Sequence, residues 1–158
     1  MGSQIDSEFV PTVLDRLVSP ERYSEGIGSR RGGDVEEFGA SLTRDLHILL
    51  NTRREEFMVP AEFEQTSTSI VNFGIPDFTK CSNLRSTADQ TRLCKWIEEA
   101  IRTFEPRLRN VVVRVVDSEN INSALLFHVE AKAELISGRV AFEMGLRRDT
   151  GEISVVQG

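Results

Sequence analysis

The stretch IRTFEPRLRNVVVRVV, Ile101–Val116, changes its period part-way along. Up to Phe104 the apolar residues keep helical spacing. Leu93, Ile97, Ala100, Ile101 and Phe104 form one stripe of TADQTRLCKWIEEAIRTF, Thr87–Phe104, with Trp96 at its edge. Thr87 and Gln90 read as a T-x-x-Q capping box at its start. Pro106 disfavours helical geometry at Glu105, so the helix is expected to end there. Beyond the proline, VVVRVV (Val111–Val116) is an apolar run with one charge, too short for a helix and read as a strand.

Downstream of Val116 the period is that of a sheet. In ALLFHVEAKAEL, residues Leu125, Phe127, Val129, Ala131, Ala133 and Leu135 point one way, and Leu126, His128, Glu130, Lys132 and Glu134 the other. Ser137-Gly138 is a tight connection, after which Val140, Phe142, Met144 and Leu146 alternate again. Asp149–Gly151 is a further turn, and EISVV is a short last strand. Upstream, VEEFGASLTRDLHILLNTRR carries an apolar stripe of Phe38, Leu42, Leu46, Leu49 and Leu50. Asp34 is placed to cap it, and Arg53 and Arg54 complement its C-terminal end. His47 lies beside the stripe. The segment 55–86 is irregular, with Gly74, Pro76 and Asp77 as turn residues. The expected class is α+β: N-terminal helices, then an antiparallel meander sheet packed against a long helix.

The first 34 residues read differently. PTVLDRLV is a short amphipathic turn with Val13, Leu14 and Leu17 as its apolar residues. It is joined through the Ser-, Gly- and Arg-rich segment Ser19–Asp34. The expected division is a mobile arm and linker over 1–34 and an α+β domain over 35–158. Leu14 and Leu17 either pack on the parent domain or dock on a partner.

Composition narrows the function. With 158 residues, 39% of them hydrophobic, the chain can build one ordinary core but has no run long enough for a membrane span. A net charge of −6 argues against a nucleic-acid surface. MGSQIDSEFV has neither a basic n-region nor an apolar h-region, so a cytoplasmic location is expected. Lysine occurs only at Lys80, Lys95 and Lys132; every other base is arginine, which suits interfaces. Cys81 and Cys94 lack histidines at ligand spacing and read as reduced thiols. No phosphate loop, metal motif or cofactor motif occurs.

Two features remain. Glu105 sits at a helix C-terminus, where a carboxylate opposes the dipole by up to about 1 kcal/mol. Across an extended proline, Glu105 and Arg107 would point the same way and present a paired polar device to a partner. The alternative is an internal salt bridge that pins the helix end to the sheet. The second feature is EISVVQG, a short, mostly uncharged terminal strand. At a sheet edge, the backbone around Ile153 and Val155 could accept an incoming strand, or it could be an ordinary blunt edge.

Three elements in order, TRDLHILLNTRR (Thr43–Arg54), SIVNFGIPDF (Ser69–Phe78) and IRTFEPRLRNVVV (Ile101–Val113), resemble the type VI secretion baseplate subunit TssE. That family is related to the short, sometimes lysozyme-like, wedge protein of contractile phage tails. VLDRL (Val13–Leu17) fits its start, and the likeness runs from Pro11 to Val156. Phe73 departs from it, standing where the family often has tyrosine. The resemblance implies structural work at a baseplate docked on the inner membrane. Glu105, Pro106 and Arg107 would bind the helical core of larger wedge proteins (TssF, TssG and TssK type). The last sheet would start the contractile sheath (TssB and TssC type) by strand pairing. It implies no cofactor, metal, nucleic acid or membrane insertion. Two rivals stand beside it. One is an anti-adaptor of the same fold that binds a response regulator. The other is a muramidase, for which no carboxylate here has an apolar local sequence and for which Arg107 would push Glu105 the wrong way.

Overall fold

The computed structural model describes residues 12–18, 20, 35–54, 62–78, 86–116, 124–133 and 138–158. Asp34, Cys81, Leu135 and the linker other than Pro20 lie outside the described residues, as does any capping of the second helix by Asp34. The helices are α1 (Val13–Val18), α2 (Val35–Asn51) and α3 (Thr87–Phe104), with short 3-10 turns at Glu64–Thr68 and Ile70–Asn72 between the last two. The strands are β1 (Leu108–Val116), β2 (Ala124–Ala133), β3 (Gly138–Arg147) and β4 (Ile153–Gln157). They form one antiparallel sheet in the order β1-β2-β3-β4. This is the expected α+β meander.

The alternation in β2 and β3 sets the core. Leu125, Phe127, Val129, Ala131 and Ala133 are buried, as are Val140, Phe142, Met144 and Leu146. Both helical stripes close on that face: Phe38, Leu42, Leu46, Leu49 and Leu50 from α2, and Leu93, Ile97, Ala100 and Ile101 from α3. Phe104 is half-buried and meets Phe73 edge-on at 5.3 Å. The cover is shared, with α3 lying along β1 and α2 along β4, so the sheet does not rest on one long helix.

The ends of the helices differ from expectation. Ser86, not Thr87, is the N-cap of α3, and its side chain makes no capping bond, so the Thr87–Gln90 box is not formed. α2 stops at Asn51, before Arg53 and Arg54. Arg53 still serves the helix end, because its Nη1 donates to Leu50 O at 3.1 Å. Its Nη2 donates to Gly151 O at 2.5 Å, and its guanidinium lies 4.3 Å from the centre of the Phe78 ring. One arginine thus ties α2 to the β3–β4 turn. The irregular segment is clamped at the same place: Ile75 N donates to Thr52 O at 3.1 Å and Arg54 N to Ile75 O at 2.9 Å. Gly74 makes this possible. Its φ is +105°, and a Cβ there would sit 2.4 Å from Thr52 O.

The two sheet edges are unlike. β1 bulges between Arg109 and Val112, with Asn110 at φ 52°. Its outer edge then meets α3: Val113 N donates to Glu98 Oε1 at 2.9 Å. Among the described residues, β4 pairs as a strand only with β3.

Candidate functional site

The Glu-Pro-Arg element is built where α3 ends. Glu105 N completes the helix on Ile101 O at 2.9 Å, and Leu108 N then bonds Glu105 O at 3.1 Å. Glu105–Leu108 is therefore a tight turn with Pro106 at its second position, where a fixed φ suits it. It is not an extended stalk. Pro106 faces outward, while Glu105 is 5% exposed.

Glu105 and Arg107 do share a face, and that face is turned inward. Arg107 grips the carboxylate with a fork, Nε on Oε1 at 2.7 Å and Nη2 on Oε2 at 2.5 Å. The remaining donors reach α2: Nη2 to Asp45 Oδ2 at 2.6 Å and Nη1 to Ser41 Oγ at 3.0 Å. Burial opposes the charge on Arg107, but Glu105 and Asp45 outweigh it and hold the guanidinium protonated more firmly than usual. The pair therefore pins the helix end to α2, rather than to the sheet.

The network continues to the N-terminal arm. Arg44 bonds Asp45 Oδ1 through Nε and Nη2, at 3.1 and 2.8 Å, and pairs with Asp15 Oδ1 at 2.8 Å. Asp15 also accepts from Ser41 Oγ at 3.2 Å and from Thr12 N and Oγ1, both at 2.7 Å. Burial alone would raise the Asp15 pKa. The bonds from Thr12 and Arg44 together hold it below its ordinary value. Carboxylate and guanidinium thus alternate through Glu105, Arg107, Asp45, Arg44 and Asp15, joining three elements distant in sequence.

α1 therefore docks on the domain through its acid. Its acid faces in, whereas Val13, Leu17 and Val18 face solvent, Leu17 at 72% exposure. Leu14 turns the other way, into a groove of about 410 Å³ shared with Ile48, Leu49, Phe73, Phe104 and Pro106, and rimmed by Asp45, Glu105 and Arg107. The structure therefore brings Leu14, Glu105, Pro106 and Arg107 together and leaves Leu17 outside the groove.

Ile153 and Val155 belong to a second surface. Ile153 is fully buried and Val155 half-buried. The β3–β4 register runs from Leu146↔Ile153 to Phe142↔Gln157, with Arg147 N on Glu152 O at 2.9 Å and Gly158 N on Ala141 O at 3.0 Å. In an antiparallel ladder the bonded pairs alternate, so the N–H and C=O groups of Ile153, Val155 and Gln157 point away from β3. At Ile153 both are taken by the side chain of Asn51. Nδ2 donates to Ile153 O at 2.8 Å, and Ile153 N donates to Oδ1 at 2.9 Å. Among the described residues, the outward groups of Val155 and Gln157 have no partner.

Sequence reading missed Asp45, Arg44, Ser41, Asp15 and Asn51. A signal existed for Asp45 and Asn51, since both are poor helix residues inside TRDLHILLNTRR and so invite a tertiary explanation. Asp15 and Ser41 carry no such mark. Among the described residues no group of His, Cys, Asp and Glu could hold a metal, and no helix is long and apolar enough to cross a membrane.

Comparison with known proteins agrees with the fold. A crystal structure of a Geobacter sulfurreducens protein assigned as a tail lysozyme is similar, with a TM-score of 0.53 and 18% identity, over 73% of this chain and 92% of that one. No curated protein matches the chain. Residues 36–135, which include α2, the clamped segment, the Glu-Pro-Arg turn and the first two strands, match the family described as baseplate wedge protein gp25, and the chain belongs to that family.

Proposed function

We propose that this wedge-family chain is the short wedge subunit of a type VI secretion baseplate, acting in the cytoplasm at a baseplate docked on the inner membrane. It joins larger wedge proteins to the first ring of contractile sheath. The observation that carries this reading is the difference between the two sheet edges. At β1 the Val113 amide is taken by Glu98 of α3, whereas among the described residues β4 keeps outward backbone groups without a partner at Val155 and Gln157. An open edge is what strand addition needs.

The wedge proteins are assigned to the groove beside the Glu-Pro-Arg turn. Leu14, Ile48, Phe104 and Pro106 supply apolar area, and Arg107 fixes the turn that shapes it. Helix-in-groove packing suits such a surface. Catalysis has no part in this reading. A glycosidase sets two carboxylates about 5–9.5 Å apart across a sugar. Here Glu105 and Asp45 both turn to the same guanidinium.

Tagged protein drawn from a secreting bacterium tests the assignment. Wild type is expected to recover the larger wedge proteins, and Ile48→Glu, which places a charge in the groove, to lose them while remaining folded. Recovery of a lone response regulator would favour the anti-adaptor. Glu105-dependent release of cell-wall sugars would overturn the structural reading.

A further inference from the structure

We propose that the Asn51 carboxamide is a register stop built into the β4 edge, and that an added strand pairs with Val155 and Gln157 and ends against it. This rests on the strand-pairing reading above, and commits the edge to an extended segment of the sheath protein.

A carboxamide carries an acceptor oxygen and, on the same side, one of its two N–H donors. Asn51 uses both on a single residue, Ile153, at 2.8 and 2.9 Å, as a neighbouring strand would. Its position is fixed from behind, because Nδ2 also donates to His47 O at 2.8 Å within α2. Ile153 is fully buried, so its backbone groups could not be left open without a desolvation penalty. Just before it, Gly151 O is taken by Arg53. Among the described residues the edge is therefore closed up to Ile153, and the outward backbone groups of Val155 and Gln157 have no hydrogen-bond partner.

Among the described residues, four groups remain for a newcomer, the N–H and C=O of Val155 and of Gln157. Strand register is easily slipped where a strand is short and uncharged. A fixed plug removes that freedom, since shifting the newcomer one pair towards the β3–β4 turn would require displacing Asn51.

Residue-resolved hydrogen–deuterium exchange tests this, on the full chain alone and mixed with purified sheath heterodimer as the probe. In the wild type alone, Ile153 is expected to be protected, and Val155 and Gln157 to exchange freely. With the sheath heterodimer, Val155 and Gln157 gain protection and Ile153 is unchanged. In Asn51→Ala alone, the Ile153 amide should exchange about tenfold faster or more, and regain protection when the heterodimer is added. Asn51→Ser is the second variant, should alanine fail to fold. Its hydroxyl can return to His47 O but is too short to span both Ile153 groups.

If Ile153 exchanges no faster in either variant, the stop is overturned. Protection of Val155 and Gln157 with no gain at Ile153 in the variants overturns the stop alone and leaves strand pairing standing. Absence of protection at all three residues overturns strand pairing itself. Protection that grows with the concentration of this chain, without sheath protein, assigns the edge to a second copy and overturns the proposal.

Discussion

Arg107 Nη2 donates to Asp45 Oδ2 at 2.6 Å, and through this contact a turn at the end of one helix is locked to the middle of another. The partners are 62 residues apart in the chain. The same guanidinium holds Glu105, whose position at a helix C-terminus would otherwise be unfavourable. The dipole conflict that makes Glu-Pro-Arg unusual as sequence is thus resolved inside the molecule. On the proposed reading, what a partner meets is the shape of the turn, with Pro106 at its tip.

Arg107→Ala should accordingly weaken the fold. Removing one partner of a buried pair leaves the others desolvated and unpaired, which typically costs about 3–5 kcal/mol. Urea unfolding should show the loss. Glu105→Ala in the same background should add less than its separate effect, because the two act as one unit. A variant as stable as wild type, yet unable to bind wedge proteins, would return Arg107 to the role of direct contact.

The arm should release in acid. Asp15 has a folded pKa held below its ordinary value of 3.8. A carboxyl lowered on folding contributes stability above its unfolded pKa and loses it as pH falls through the folded one. α1 should therefore stay docked at neutral pH and leave α2 only below about pH 4. Amide shifts of Leu14 and Leu17 against pH would follow it. Asp15→Asn should abolish that acid step and loosen α1 at every pH.

These two networks show what sequence alone could tell. Period-two alternation in Leu125–Ala133 and Val140–Leu146 identified the buried face residue by residue, because burial of one face is a local pattern. The stripes of α2 and α3 were legible for the same reason. The ionic chain was not. Asp45 and Arg44 read as an exposed helix face until Arg107 and Asp15 are brought to them, and pairing at such separations has no period. Asn51 read as part of a recognisable element, but its use depends on Ile153, 102 residues later. The Glu105–Arg107 pair was legible as a device; which way it faced was not.

Gly74→Ala should destabilise more than an ordinary turn substitution. At φ +105° an L-residue is strained by about 1–3 kcal/mol. In addition, the new Cβ would stand 2.4 Å from Thr52 O, which accepts the Ile75 amide. Relief requires breaking the clamp between α2 and the segment before α3. Thermal unfolding should fall by several degrees, and the amide of Ile75 should lose protection. A neutral result would mean that the clamp is not held as described.

Proline along β4 should separate folding from sheath assembly. The Val155 N–H points away from β3, so Val155→Pro removes no ladder bond, and an edge strand tolerates proline there. Stability should change by less than about 1 kcal/mol. The outward donor is lost, however, and the ring stands where an added strand must lie. Sheath nucleation should fail while wedge proteins still co-purify. Val156→Pro is the control: its N–H faces Glu143 across the ladder, so it should destabilise the sheet itself. If Val155→Pro abolished wedge binding and sheath assembly alike while remaining folded, the two surfaces would not be separate, and strand addition at β4 would lose its support.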